Sequence, residues 1–160
     1  MPKIYLIDVT NRDGVQTAKL GLSKLEKTLI NIYLNEMGVF QSEFGFPTTK
    51  HESLYLQANL ELDEMGVLQP IRLGGWLRAL AGDVETAFRL VPNLRHLNLS
   101  IPTSAQMLRA KFRGEKTKDE VINNMVEAVD VTRMLGAETI GVNAEDASRT
   151  ELDFLIKFGL

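Results

Sequence analysis

Three features of the sequence predict an α/β fold, built as an incomplete (β/α)8 TIM barrel of about the first five βα units with parallel strands. Short apolar runs alternate with helix-period segments along the 160 residues, the order that gives parallel strands joined by right-handed crossovers. Glycine stops recur in similar words at Gly38, Gly66 and Gly136, each before a new apolar run, marking a βα unit of roughly thirty residues. The strands also carry a polar face: His96, Asn98 and Ser100 alternate with Leu97, Leu99 and Ile101, and Gln41 and Glu43 with Phe40 and Phe44. An open doubly wound sheet buries both faces of its central strands under helices and so predicts apolar residues on both. Barrel strands turn one face inward, toward a site at their carboxyl ends. A complete barrel takes about 250 residues; this chain has room for five units.

Taken in order, Pro2 to Ile7 reads as a short buried strand through Ile4, Leu6 and Ile7. Ser23 and Glu26 have capping-box spacing and open a helix in which Leu25, Leu29, Ile32 and Tyr33 make the expected buried stripe. Val39 to Phe46 alternates as a strand, with Phe40, Phe44 and Phe46 expected on one face. A second helix follows Pro47 and carries Leu54, Leu56, Leu60 and Leu62 to Gly66. The third strand lies within Ile71 to Leu80, the third helix spans Val84 to Leu90, and the fourth strand is Leu94 to Ile101. Pro102, Thr103 and Ser104 read as loop. Thr117 and Glu120 form a second capping box, and Val121, Met125, Val129 and Leu135 the stripe of the helix it opens. Thr139 to Asn143 is the fifth strand, and Glu151 to Phe158 begins another helix.

Residues 1 to 160 are thus expected to form one domain, with no composition shift to suggest a second. A formal net charge of -3 argues against a dedicated nucleic-acid binder. Cysteine is absent, which excludes disulfides, zinc-thiolate sites and thiol catalysis and fits a reducing cytoplasm. The opening MPKIYLID is too short an apolar run for a signal peptide or membrane span, so a soluble, cytoplasmic protein is expected.

The segment DVTNRDGVQ, Asp8 to Gln16, follows the first strand and precedes the first helix. Loops at the carboxyl ends of strands are where α/β proteins bind ligands. Arg12, Asp13 and Gln16 are therefore candidate site residues, with a surface Arg–Asp ion pair as the competing reading.

Five blocks in order resemble one family: DVTNRDGVQ, SEFGFPTT from Ser42, GWLRAL from Gly75, HLNLSIPTSAQM from His96, and NAEDASRTELDFL from Asn143. They are similar to the metal-dependent acyl-CoA:2-oxo acid condensing enzymes, the homocitrate, isopropylmalate, citramalate and Re-citrate synthases, which share a TIM barrel with hydroxymethylglutaryl-CoA lyase. The resemblance implies an N-terminal part of a catalytic barrel and a Claisen-type condensation of acetyl-CoA with a 2-oxo acid. The last two blocks look most like homocitrate synthases, with 2-oxoglutarate as acceptor. NRDGVQT followed by YLNEMG also resembles Re-citrate synthase, with oxaloacetate as acceptor. The lyase branch and a non-catalytic half-barrel subunit are the readings of another class.

By position, the resemblance makes Asp13 a ligand of a divalent cation (Mg, Mn or Zn), a Lewis acid toward the acceptor. It makes Arg12 the cation facing developing negative oxygen, and Glu145 a catalytic acid that orients substrate. Gln16, Glu43, Arg78, Ser100, Thr103 and Ser104 become substrate contacts, with the Arg78 guanidinium suited to a carboxylate. Val15 stands where the family usually has Glu. The family's His-x-His pair has no counterpart, since His51 and His96 are the only histidines and lie far apart. The resemblance therefore implies an N-terminal fragment, a split subunit or a half barrel that associates with itself or with a complementary C-terminal half.

His51 reads as an exposed helix-start residue and His96 as a satisfied interior one. Trp76 reads as packing, and Asp146, Ser148 and Arg149 as capping and ion-pair residues. The basic run Arg109, Lys111, Arg113, Lys116 and Lys118 reads as a solvated loop, with CoA phosphates as the alternative the resemblance offers.

Overall fold

Each strand lies beside the next one in the chain. In a computed structural model, which describes residues 2–159, β1 (Ile7–Asp8), β2 (Gln41–Gly45), β3 (Arg72–Arg78), β4 (His96–Pro102) and β5 (Thr139–Glu145) form one parallel sheet in the order β1-β2-β3-β4-β5. The sheet curls into part of a TIM-like barrel, as predicted. Around it run α1 (Lys24–Glu36), α2 (Lys50–Glu64), α3 (Ala81–Leu90), α4 (Ala105–Phe112), α5 (Lys118–Met134) and α6 (Leu152–Gly159). Among the described residues no helix is long and apolar enough to cross a membrane.

Local signals behave as expected. Both capping boxes form, at Ser23 with Glu26 and at Thr117 with Glu120. Gly38, Gly66 and Gly136 all take positive φ at the helix ends. There the N–H groups of Val39, Val67 and Ala137 reach back to the carbonyls of Leu34, Leu62 and Thr132, the Schellman arrangement that only glycine enters without strain.

The structure departs from the sequence expectation in five places. Pro2 to Ile7 is not a buried strand: β1 is two residues long, and Ile4 is 81% exposed, because β1 has a partner on one side only. The buried residues of α1 are polar, Lys27 and Asn31; Ile32 of the expected stripe packs against the core, whereas Leu25, Leu29 and Tyr33 are exposed. Phe44 and Phe46 do not share a face. A register shift between Glu43 and Gly45 inserts an extra residue, so Phe44 packs outward on Tyr55 of α2 while Phe46 meets Trp76. Arg109 and Lys111, read as part of a solvated loop, lie on the helix α4, capped by the Ser104 hydroxyl, which accepts the Met107 N–H at 3.1 Å. Leu54 and Leu135, assigned to buried stripes, are also exposed.

The core lies between the outer face of the sheet and the helices, with Phe44, Leu56, Leu77, Val84, Leu97, Leu99 and Val121 nearly or fully inaccessible. The inner face carries the polar residues. Register places Trp76 beside Asn98 and Asn98 beside Gly141, then Arg78 beside Ser100 and Ser100 beside Asn143 one step toward the carboxyl ends.

Candidate active site

The loop after β1 is shaped by its own backbone. The N–H groups of Arg12, Asp13 and Gly14 all point to the carbonyl of Val9, at 2.8 to 3.2 Å, and Gly14 to Gln16 close a single 3-10 turn. Asn11, fully buried, anchors the loop from beneath. Its amide donates to the Lys27 carbonyl and to Asn31 Oδ1, both at 2.8 Å.

Arg12 then reaches over the carboxyl end of the sheet. Its Nε donates to Glu43 Oε2 at 2.9 Å and its Nη1 to Asp13 Oδ1 at 3.1 Å. The guanidinium lies 4.4 Å from the centroid of the Trp76 ring, a cation–π contact. Glu43 is 4% exposed and accepts a second bond from Asn98 Nδ2 at 2.7 Å. A carboxylate buried this far requires such partners. Arg12, Asp13 and Glu43, all anticipated from the sequence, therefore form one cluster. Trp76 and Asn98 complete it and were not anticipated as site residues; the polar alternation of the fourth strand was the one signal for Asn98.

A second cluster surrounds a cavity of about 340 Å³ at the carboxyl ends of β3, β4 and β5, with Arg78, Ser100, Lys111 and Glu145 in its wall. Arg78 is engaged by Asp83 in a two-pronged ion pair at 2.6 and 2.9 Å, which raises the guanidinium pKa above its ordinary value. Lys111, on α4 instead of in a solvated loop, donates to Glu145 Oε1 at 2.7 Å. The cavity thus holds two cations, each already paired with a carboxylate.

Thr103 and Ser104 are hydrogen-bonded within the chain. The Thr103 hydroxyl reaches the Glu145 carbonyl and the Thr150 hydroxyl. Ser104 caps α4 and donates to Asp146. Asp146, a left-handed residue, is bonded by Arg149 and by Ser104, which hold its carboxyl below the usual range. Both hydroxyls tie β4 to the end of β5, and Asp146 and Arg149 keep the structural role expected of them. Gln16, on an exposed turn, lines with Arg12 a smaller cavity of about 220 Å³ that Asn11, Lys27, Thr49 and Glu52 also border.

The histidines are not part of either cluster. His51 is exposed in the first turn of α2. His96 bonds Thr139 through Nδ1 at 2.8 Å at the amino end of β4, and burial, with Arg72 nearby, keeps its pKa below the ordinary value. Among the described residues no three His, Cys, Asp or Glu side chains gather as a cation site. Asp13 offers one exposed carboxylate, already shared with Arg12, so these residues alone do not make a closed site for a divalent ion.

A family model described as HMGL-like matches residues 3–159. The chain belongs to the HMGL-like family. This HMGL-like chain is 65% identical over 159 residues to the Citrate (Re)-synthase of Dehalococcoides mccartyi (strain CBDB1), covering 99% of itself and 38% of that protein. It is 35% identical over 155 residues to 2-isopropylmalate synthase 2 of Caldanaerobacter subterraneus subsp. tengcongensis, covering 97% of itself and 38% of the relative. With the 2-isopropylmalate synthase of Methanocaldococcus jannaschii it shares 32% over 158 residues, 97% of this chain and 28% of that one. The HMGL-like chain therefore spans less than half the length of these relatives. The family expected from the five motif blocks is the family found.

Proposed function

We propose that this chain supplies the acceptor-binding half of a condensing acyltransferase that joins acetyl-CoA to oxaloacetate. The observation that carries this reading is the 65% identity to a Citrate (Re)-synthase across 99% of the chain. It moves the acceptor from 2-oxoglutarate, which the last two motif blocks favoured, to oxaloacetate. Isopropylmalate-type chemistry is the second reading, supported by the two relatives of that name at 35% and 32% identity.

The site's chemistry suits the reaction. Oxaloacetate carries two carboxylates and a ketone, and Arg12, Arg78 and Lys111 are cations at the carboxyl ends of the strands. Condensation removes a proton from the acetyl methyl group, forms a carbon–carbon bond to the ketone carbon, and leaves a negative oxygen there. Water then cleaves the thioester to release CoA and citrate. Arg12, held in place by Glu43 and Trp76, would stabilise that oxygen with a donor fixed before the reaction begins. Arg78 would take an acceptor carboxylate in the two-pronged manner it now uses on Asp83.

A divalent ion, when bound, would polarise the acceptor ketone. Asp13 would be its one ligand from this chain, with the remaining ligands coming from a complementary half or a second copy.

Release of free CoA from acetyl-CoA tests the reading, with oxaloacetate, 2-oxoglutarate or a branched 2-oxo acid as acceptor. It is measured for the chain alone and for the chain combined with the C-terminal remainder of a citrate (Re)-synthase. Turnover in the combination with oxaloacetate preferred is expected. Preference for another acid overturns the acceptor assignment, and no turnover from an associated pair overturns the synthase reading.

A further inference from the structure

Besides its bond to Asp13, Arg12 is held on two further sides by Glu43 and Trp76. Glu43 fixes its Nε, and the Trp76 ring fixes the plane of its guanidinium. Neither support is free to wander. Glu43 Oε1 is bonded to Asn98 at 2.7 Å, so rotation of the carboxylate would break that bond. The Trp76 ring packs on Phe46, centroid to centroid 5.6 Å.

Gly141 shows that the position of Asn98 is built in. Its φ is not in the left-handed region, so backbone conformation does not call for glycine there. Space does: a Cβ on residue 141 would lie 2.2 Å from Asn98 Oδ1, far inside any real contact. The Asn98 amide oxygen fills the space over Gly141 while its nitrogen donates to Glu43, so a side chain at residue 141 would push the amide out of this position.

We propose that Asn98 and Trp76 are positioning residues for Arg12. Asn98 acts through Glu43, Trp76 acts by its ring face, and Gly141 provides the room. In this arrangement the guanidinium is held at the carboxyl end of the sheet with Nε on Glu43, Nη1 on Asp13 and its plane set by Trp76, which leaves its other N–H groups for the acceptor. That last consequence rests on the role proposed for Arg12 above; the clamp itself does not.

Trp76 is the only tryptophan, so its emission reports the contact directly in the chain as it stands. Arg12→Leu removes the cation from the ring and defines the emission change to look for. Asn98→Leu and Gly141→Ala, checked by circular dichroism to be folded, are expected to give at least half of that change and to add little to it in the Arg12→Leu background, where a direct effect of replacing the neighbour of Trp76 would persist in full. Asn98→Gln, which keeps the amide donor, is expected to give less than Asn98→Leu. Emission unaltered by Arg12→Leu overturns the Trp76 half of the proposal. Wild-type emission in folded Asn98→Leu and Gly141→Ala overturns the Asn98 half, since a merely structural asparagine would change the melting temperature without releasing Arg12. In the completed enzyme, loss of the clamp should lower kcat by about 10- to 100-fold with KM for acetyl-CoA little changed. Full activity beside a changed emission would leave the clamp standing and remove the catalytic role of Arg12.

Discussion

Asn11 donates its side-chain amide to Oδ1 of Asn31 at 2.8 Å, and both residues are fully buried. Asn31 has every polar position filled. Its oxygen also accepts from Ser42 at 2.8 Å, and its nitrogen donates to Tyr55 Oη and Asn59 Oδ1 at 2.9 Å each. One side chain on α1 thus ties together β2, α2 and the residue that precedes Arg12. Asn31→Leu would leave several of these groups buried without a partner, at about 1–3 kcal/mol for each group that stays unsatisfied. We expect a loss of about 2–4 kcal/mol, read as a lower urea midpoint. A loss within about 0.5 kcal/mol, typical of a surface change, would show that the network does not hold the loop.

The two capping boxes make stability depend on acid in a defined direction. Glu26 is held below its ordinary pKa by the Ser23 hydroxyl and backbone N–H, and Glu120 by the backbone N–H and hydroxyl of Thr117. A carboxylate with a lowered folded pKa contributes its full stabilisation above its unfolded pKa, about 4.3, and loses it as pH falls through the folded value. Glu26→Gln and Glu120→Gln should therefore lower the urea midpoint at pH 7, and the gap from wild type should close as the pH approaches 3. A gap that persists at pH 3 would mean that the carboxylate charge is not what caps these helices.

Those caps were legible in the sequence because both partners lie three residues apart and need nothing else. The same holds for the glycine stops and for the polar alternation of β4. The packing of α1 was not legible. Lys27 and Asn31 become interior residues only because Glu52 on α2 and Asn11 on the loop meet them, and no helical periodicity can reveal partners that distant. The face of Phe46 was lost to the register shift before Gly45. In the site, Arg12 and Asp13 could be found from their loop, and Glu43 and Arg78 from the resemblance. Asn98 joins Glu43 across 55 residues of sequence, so its part could not be read from either block alone.

The glycine stops carry their own test. Gly66 and Gly136 sit at φ of 81° and 93° with open space where a Cβ would be, so alanine there meets no clash and feels only the backbone. Left-handed conformation costs an L-residue roughly 1–2 kcal/mol. Gly66→Ala and Gly136→Ala should each lower the melting temperature, and the double variant should show nearly the sum, because the two sites lie in separate connections. Unchanged melting in both would mean that the helix ends relax to another cap.

Arg78 presents a competition that kinetics can resolve. Its guanidinium is bound by Asp83 at 2.6 and 2.9 Å, while its side chain is more than half exposed beside the cavity that holds Ser100, Lys111 and Glu145. An acceptor carboxylate reaching Arg78 must displace or share that partner. Arg78→Leu should raise the acceptor KM of the completed enzyme by about 10- to 100-fold, the loss expected for hydrogen bonds to a charged group. Asp83→Asn frees the guanidinium without removing it, so acceptor KM should fall several-fold with kcat little altered. If both variants raise KM alike, the Arg78–Asp83 pair is a strut that shapes the mouth of the cavity, and Lys111 becomes the cation that meets the acceptor.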